Sequence, residues 1–347
     1  MSPSSSSTTL IGPTAAAETA AVRSLRFPRH SIEPPELTLT RTFFPMGFPV
    51  EVHTNEAEVF PILASMWGLF EPLRMDRSFP VRFDVHVVHG DDDSVCPPPP
   101  VYRLIRPLMM GVADGHNYSV VNLATSHAQV TLSRGALAHP LYAGWFLLGA
   151  PLSCIATRFV TPVHAACVSR RGRAVLLCGE SGAGKSTLAY ACARAGWTFT
   201  SDDATFMPHH ESGRRVIGNC HQVRFRPSAT ELFPEIAGRD ITPRAAGKPS
   251  IEVPTAELPQ IRAAFHASIE HVVFLHRQNG ERPSIEAFPV QEARNYLRAV
   301  LYGLEETMAA QYEVVERMLT APIHRLRYER LDDAIALLDQ LVGEGEA

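Results

Sequence analysis

A glycine-rich run, GESGAGKST (Gly179–Thr187), restricts the fold of this chain more than any other feature. It matches the pattern G-x-x-x-x-G-K-[S/T], in which glycines let successive backbone amides point at phosphate oxygens. The preceding RAVLLCG (Arg173–Gly179) has the pattern of a short apolar strand. The following STLAYACARAG (Ser186–Gly196) has the pattern of a helix that ends on a glycine cap. This order predicts a P-loop within an α/β domain.

Two side chains of this run suit phosphate chemistry. Lys185 would place an ammonium on the β- and γ-phosphates, and the Ser186 hydroxyl is suited to bind Mg²⁺. Of the 32 Lys and Arg residues, only Lys185 and Lys248 are lysines. Because arginine and lysine are not interchangeable at a phosphate site, a lysine at position 185 favours phosphate binding. A structural glycine turn is the alternative. The predicted nucleotide-binding residues are Gly179, Glu180, Ser181, Gly182, Ala183, Gly184, Lys185, Ser186 and Thr187.

Two adjacent acids follow the next predicted strand, WTFT (Trp197–Thr200). Asp202 and Asp203 would lie at the end of this strand, where ligands of α/β sheets bind. One carboxylate could hold the metal together with Ser186, and the other could take a proton from an attacking hydroxyl. The alternative is that the pair only caps a turn.

The rest of the chain divides by composition into three predicted parts. Residues 1–35 are rich in Ser, Thr, Ala and Pro and predict a disordered tail. Residues 36–150 contain alternating stretches at 81–88, 118–123 and 128–133, which predict a small β-rich domain. Residues 151–345 predict the P-loop domain, with strands at 271–277 and 324–330 and a final helix from Leu331. The apolar run 141–156 is too short to span a membrane and predicts a buried helix.

Bulk properties exclude some partners. The net charge is −4, so we expect no nucleic acid and no membrane as partner. Six cysteines without a CxxC pair indicate reduced thiols and a cytoplasmic protein. Neither lysine lies in the N-K-x-D motif of small GTPases, and the SGGQ signature of ABC ATPases is absent.

The segment VTPVHAACVSRRGRAVLLCGESGAGKSTLAYACARAGWTFTSDDATF (160–206) resembles the catalytic domain of the HPr kinase/phosphorylase family and its shorter relatives. A looser resemblance extends through residues 223–235 and 322–338, so it covers about half of the chain. It implies an HPr-kinase-like fold, ATP and Mg²⁺ as cofactors, Asp202 as the base toward a substrate hydroxyl and Asp203 as a supporting acid. Ser186 and Asp203 are then the predicted metal ligands. The resemblance also places His164 near the active centre, whereas its surroundings alone would favour a packed strand residue.

The Glu-x-x-Gly-x-Gly signature that follows the aspartate pair in authentic HPr kinases is absent here. The acceptor is therefore left open among protein, peptide and small-molecule hydroxyls. Arg224 and Arg226 either contact phosphate or substrate or pair with surface acids, and Lys248 could close over the site. We predict an ATP-dependent kinase, with a non-catalytic ATP-sensing module as the alternative and homo-oligomerisation left open.

Overall fold

The structure is a computed structural model, and it describes residues 35–68, 70–73, 80–90, 98–139, 142–242, 249–278, 280, 282–299, 301 and 305–343. The predicted tail, apart from Pro35, and Lys248 lie outside these residues. The described part of Leu37–Ala347 belongs to one compact unit that contains all the sheets. The predicted boundary at residue 150 stays a prediction.

A seven-stranded sheet forms from the first part of this unit, in the order β1-β2-β3-β7-β6-β5-β4. The predicted strands at 81–88, 118–123 and 128–133 are confirmed as β3, β6 and β7. Their sequences alternate because every second residue faces the core. The strands are β1 (Leu39–Phe43), β2 (Val50–Thr54), β3 (Val81–Val88), β4 (Val101–Ile105), β5 (Leu108–Val112), β6 (Tyr118–Asn122) and β7 (His127–Ser133).

Helices cover one face of this sheet. The predicted buried helix at 141–156 consists of a π-helical segment, Ala143–Leu148, that continues into an α-helix. Phe146 and Leu147 of the first segment and Ile155 of the second lie in the core. The Ser133 hydroxyl accepts a hydrogen bond from the Ala136 amide and so caps a short helix after β7. The α-helices here are α1 (Val59–Trp67), α2 (Arg134–Ala138) and α3 (Gly149–Arg158).

A ten-stranded sheet and a three-stranded sheet follow. The longer one has the order β17-β11-β9-β10-β18-β13-β12-β8, with β20 on β18 and β19 on β20, and the shorter one is β14-β16-β15. Their strands are β8 (Val160–Val163), β9 (Ala166–Arg170), β10 (Arg173–Cys178), β11 (Thr198–Ser201), β12 (Thr205–Pro208), β13 (Arg215–Gly218), β14 (Gln222–Phe225), β15 (Ile241–Thr242), β16 (Ser250–Pro254), β17 (Arg262–Ala263), β18 (His266–Arg277), β19 (Ser284–Ala287) and β20 (Ile323–Tyr328).

The centre of the ten-stranded sheet is covered on both faces. In β10, Val175 and Leu177 face one apolar cluster while Leu176 and Cys178 face another, which explains its unbroken apolar sequence. Residues of α4 and α7 belong to the first cluster, and residues of α5 and α6 belong to the second. The helices are α4 (Lys185–Arg194), α5 (Val290–Ala299), α6 (Glu305–Met318) and α7 (Leu331–Gly343). The result is a mixed α/β fold, as predicted.

Strand direction decides where loops of this sheet meet. Strand β10 is parallel to β18 and antiparallel to β9. Strand β18 is in turn parallel to β20. Because β9 is also antiparallel to β11, strands β10 and β11 run in the same direction. Their carboxyl ends therefore share one edge, where the glycine-rich loop and the aspartate pair both begin.

Within the described residues, no helix is long and apolar enough to cross a membrane. The cysteines at positions 154, 167, 178, 192 and 220 are buried and unpaired. Burial raises the pKa of the Cys167 and Cys178 thiols to about 12, so these groups are core residues rather than nucleophiles.

Candidate functional site

The glycine-rich loop (Gly179–Gly184) joins β10 to α4 and has a backbone that only glycine adopts easily. Gly179, Gly182 and Gly184 have φ of +151°, +94° and +93°. At Gly184, a Cβ atom would also come within 3.0 Å of the Tyr328 hydroxyl. Helix α4 begins at Lys185, one residue earlier than predicted, and the first-turn amides of a helix have no intrahelical acceptor. The loop can therefore present backbone donors to an anion.

Lys185 lies against this loop and is 5% exposed. Its Nζ donates to the carbonyl oxygens of Gly179 at 2.7 Å and Glu180 at 3.2 Å. Burial lowers the pKa of this ammonium, while the nearby acids, led by Asp203, oppose that shift. The Lys185 ammonium is thus held against the loop, where Glu180 and Ser181 are exposed to solvent.

Two tyrosines from distant parts of the chain support the loop, and sequence reasoning missed both. The Tyr296 hydroxyl, on α5, donates to the Gly179 carbonyl at 2.6 Å and accepts from the Gly179 amide at 3.2 Å. The Tyr328 hydroxyl, at the end of β20, donates to the Ala183 carbonyl at 3.4 Å. Burial raises the pKa of both phenols to about 12, so they remain neutral donors.

The aspartate pair lies beside the start of α4. The Ser186 hydroxyl donates to the Asp202 carbonyl oxygen at 3.0 Å, which joins the end of β11 to the first turn of the helix. The Asp202 side chain is 7% exposed, and its Oδ2 accepts from the Arg224 amide at 2.6 Å. Desolvation raises the pKa of this carboxyl to about 6 against the opposing effect of that amide.

Asp203 has the opposite environment. Its carboxylate is 42% exposed, and its Oδ1 lies 3.0 Å from Nδ1 of His164, which follows β8. The hydrogen bond from His164 lowers the pKa of Asp203, and Lys185 and Arg224 act in the same direction. The two adjacent aspartates that follow β11 therefore differ, because Asp202 is buried and Asp203 is partly exposed to solvent.

The structure therefore brings together Lys185, Ser186, Asp202, Asp203 and His164. Thr187 lies half-buried on the first turn of α4. Of the two candidate arginines, Arg224 has its Nε 3.5 Å from Glu252 Oε1, and Arg226 is exposed. Arg224 contributes its backbone amide to the site, a role that its residue type does not signal.

No group of three or more His, Cys, Asp or Glu side chains in the described part of the chain could hold a metal ion. Mg²⁺ in nucleotide sites takes one or two protein oxygens and completes its shell with water and phosphate. The half-exposed Asp203 carboxylate and the Ser186 hydroxyl, which bonds to the carbonyl of the preceding Asp202, fit that limited demand. The positive-φ glycines and the first-turn amides of α4 fit a bound phosphate in the same way.

Comparisons with known proteins add little to this geometry. No protein-family model matches the chain, and no curated protein matches it. Among solved structures, the chain is similar to the HPr(Ser) kinase/phosphatase from Coxiella burnetii. The two are 11% identical, the match covers 54% of this chain and 99% of that chain, and the TM-score is 0.30. Such a score is too low to assign a family.

Proposed function

We propose that this chain is an ATP-dependent phosphotransferase whose P-loop is Gly179–Thr187. The acceptor is a serine or another hydroxyl of a peptide, a protein or a small molecule. One observation carries the proposal: the glycine-rich loop with its buried lysine and the aspartate pair meet at one sheet edge, joined by the Ser186–Asp202 hydrogen bond. A structural glycine turn needs neither the lysine nor the acids.

ATP with Mg²⁺ would supply a γ-phosphoryl group activated for transfer. The loop amides and the first turn of α4 would bind the phosphates, and Lys185 would exchange its contacts with the Gly179 and Glu180 carbonyls for phosphate oxygens. Ser186 and Asp203 would hold the metal. Each of these groups is already at the loop, so little reorganisation is required.

Asp202 is the proposed base because its raised pKa leaves it able to accept a proton near neutral pH. Its Oδ2 is held by the Arg224 amide, so the acceptor hydroxyl must reach the other carboxylate oxygen. Asp203 faces the opening more directly, with His164 beside it. That exposure makes Asp203 the alternative base, and separate variants of the two acids distinguish the roles.

The test is incubation of the purified chain with γ-labelled ATP, Mg²⁺ and a cell lysate, followed by mass spectrometry of labelled species. The wild-type protein should label a hydroxyl-bearing component, and Asp202→Asn should not. Nucleotide affinity measured on the same samples separates the two candidate functions. An ATP-sensing module would bind ATP·Mg²⁺ and label nothing, which would refute the transferase.

A further inference from the structure

The outer face of the seven-stranded sheet is apolar at one end. Met109, Gly111 and Val121 lie on the core side of β5 and β6, so their neighbours in sequence face away from the core. Strand pairing arranges these neighbours and the matching residues of β4 in three rows: Val101–Val112–Tyr118, Arg103–Met110–Val120 and Ile105–Leu108–Asn122. Seven of the nine are apolar, and we call this surface the apolar end.

The other end of the same face is polar and internally paired. His127 Nε2 lies 2.8 Å from Asp84 Oδ2, Arg82 Nε lies 3.0 Å from Asp84 Oδ1, and His53 Nε2 lies 2.6 Å from Glu51 Oε1. This is the usual composition of a solvated sheet face. The apolar end departs from it within a single sheet.

Exposure shows that the described residues leave the apolar end open to solvent. Of the eleven exposed large hydrophobic residues of the described structure, five belong to the apolar end: Val101, Ile105, Leu108, Val112 and Tyr118. Val101 and Ile105 each expose 62% of their surface, and Val112 exposes 46%. A contiguous apolar patch of this kind marks a contact surface rather than a free one.

We propose that the apolar end binds the apolar end of a second copy of this chain, face against face around a two-fold axis. Its apolar side chains offer on the order of 500 Å² per copy, so two copies would bury about 1,000 Å², the lower bound for a specific interface. This inference is independent of the proposed activity.

Charge placement suits a second copy of this chain. Arg103 is the one charged residue in the three rows, and it lies on β4, the edge strand. At the rim of a paired interface it stays in contact with water, while the centre joins Met110 to apolar residues. A surface that is apolar at its centre and carries no acid there is complementary to itself, which is what a two-fold contact requires.

Sedimentation velocity of the full chain, from about 1 to 100 µM, tests the proposal. The wild-type protein should sediment as a dimer. Val112→Glu, on the central strand of the apolar end, buries two carboxylates per dimer and should raise the dimer dissociation constant at least roughly 100-fold. The matched control is Thr42→Glu, which adds the same charge to an exposed position of β1, at the opposite end of the same face, and should leave the dimer intact.

Ile105→Lys, on the exposed edge strand, repeats the test at a position that cannot disturb the core. Circular dichroism of all three variants checks that they are folded. A wild-type chain that stays monomeric at the highest concentration overturns the proposal, even if it captures a different protein. Dimers that survive both Val112→Glu and Ile105→Lys overturn it equally.

Discussion

Two buried aspartates have different surroundings, one within the seven-stranded sheet and the other directly after a strand of the ten-stranded sheet. Asp84, in the seven-stranded sheet, pairs with Arg82. It also contacts His127, which is a second cation when the imidazole is protonated. Asp202, at the edge of the ten-stranded sheet, contacts the Arg224 amide and has Asp203 as its neighbour, and burial raises the pKa of its carboxyl. A carboxylate that is paired with a cation stabilises the folded state. A carboxylate that is buried at a cost to stability points instead to a functional role. The same substitution at the two positions separates these roles.

The largest expected effect is on phosphoryl transfer. Asp202→Asn keeps the size of the side chain and an acceptor for the Arg224 amide, but it removes the proton acceptor. We expect the rate of transfer to fall by roughly 10²–10⁴-fold, while the affinity for ATP·Mg²⁺ stays within several-fold. Asp84→Asn, the matched change in the other sheet, should leave the rate unchanged. Initial rates with labelled ATP measure both.

Asp203→Asn completes this comparison. It should weaken the Mg²⁺ dependence of transfer more than Asp202→Asn does, because Asp203 is the proposed metal ligand. Wild-type rates in Asp202→Asn together with a large loss in Asp203→Asn would assign the base to Asp203 and its partner His164.

The next effect is on stability, where the two aspartates should give opposite signs. The pKa of Asp202 rises from 3.8 to about 6 on folding, so the folded state binds the proton more tightly. Stability due to this group is therefore fully present below pH 3.8 and decreases until about pH 6. Asp202→Asn should raise the free energy of unfolding by about 1–3 kcal/mol at neutral pH. Asp84→Asn should lower it by about 1 kcal/mol, because the ion pair with Arg82 and the charged acceptor for His127 are lost.

Denaturant unfolding at pH 7.5 and at about pH 4 measures this difference. The gain in Asp202→Asn should be absent at the lower pH, where the wild-type carboxyl is protonated in the folded state. A gain of the same size at both values would mean that the substitution acts through packing, and burial of the charge would not explain it.

A smaller effect is expected from the support of the glycine-rich loop. Tyr296→Phe removes the hydroxyl that bonds to both the amide and the carbonyl of Gly179, and each of these two hydrogen bonds corresponds to about 1 kcal/mol. The dissociation constant for ATP should therefore rise several-fold. Tyr312→Phe, which removes the same atom from an exposed tyrosine of α6, should leave it unchanged. Equal affinities in both variants would show that Tyr296 does not position the loop.

Local sequence predicted the part of the site that the backbone builds. Strand β10, the loop and α4 are consecutive, and Gly179, Gly182 and Gly184 signal positive φ by their residue type. The same holds for Gly196, which ends α4 at φ +91°. The strand before Asp202 could be predicted as well, within one residue of its bounds.

Long-range packing decided the rest. Tyr296 lies 117 residues from Gly179 in the chain, and no local pattern relates them. Which aspartate enters the core depends on β14, whose Arg224 amide meets Asp202, and on the irregular pairing of β11 with β9. The apolar end also needed strand register, because its rows join residues of three strands.

The central claim is that Gly179–Thr187 binds a nucleotide through Lys185, and equilibrium binding of ATP·Mg²⁺ tests it most directly. The wild-type protein should bind, and Lys185→Ala should weaken binding by about 100-fold or more, because a buried charged contact to phosphate is lost. Lys185→Arg should restore little of the lost affinity, because the site accommodates a compact ammonium and not a planar guanidinium. Arg134→Ala, which removes a cation from the seven-stranded sheet region, should bind like the wild type. Equal affinity in wild type and Lys185→Ala would contradict the account.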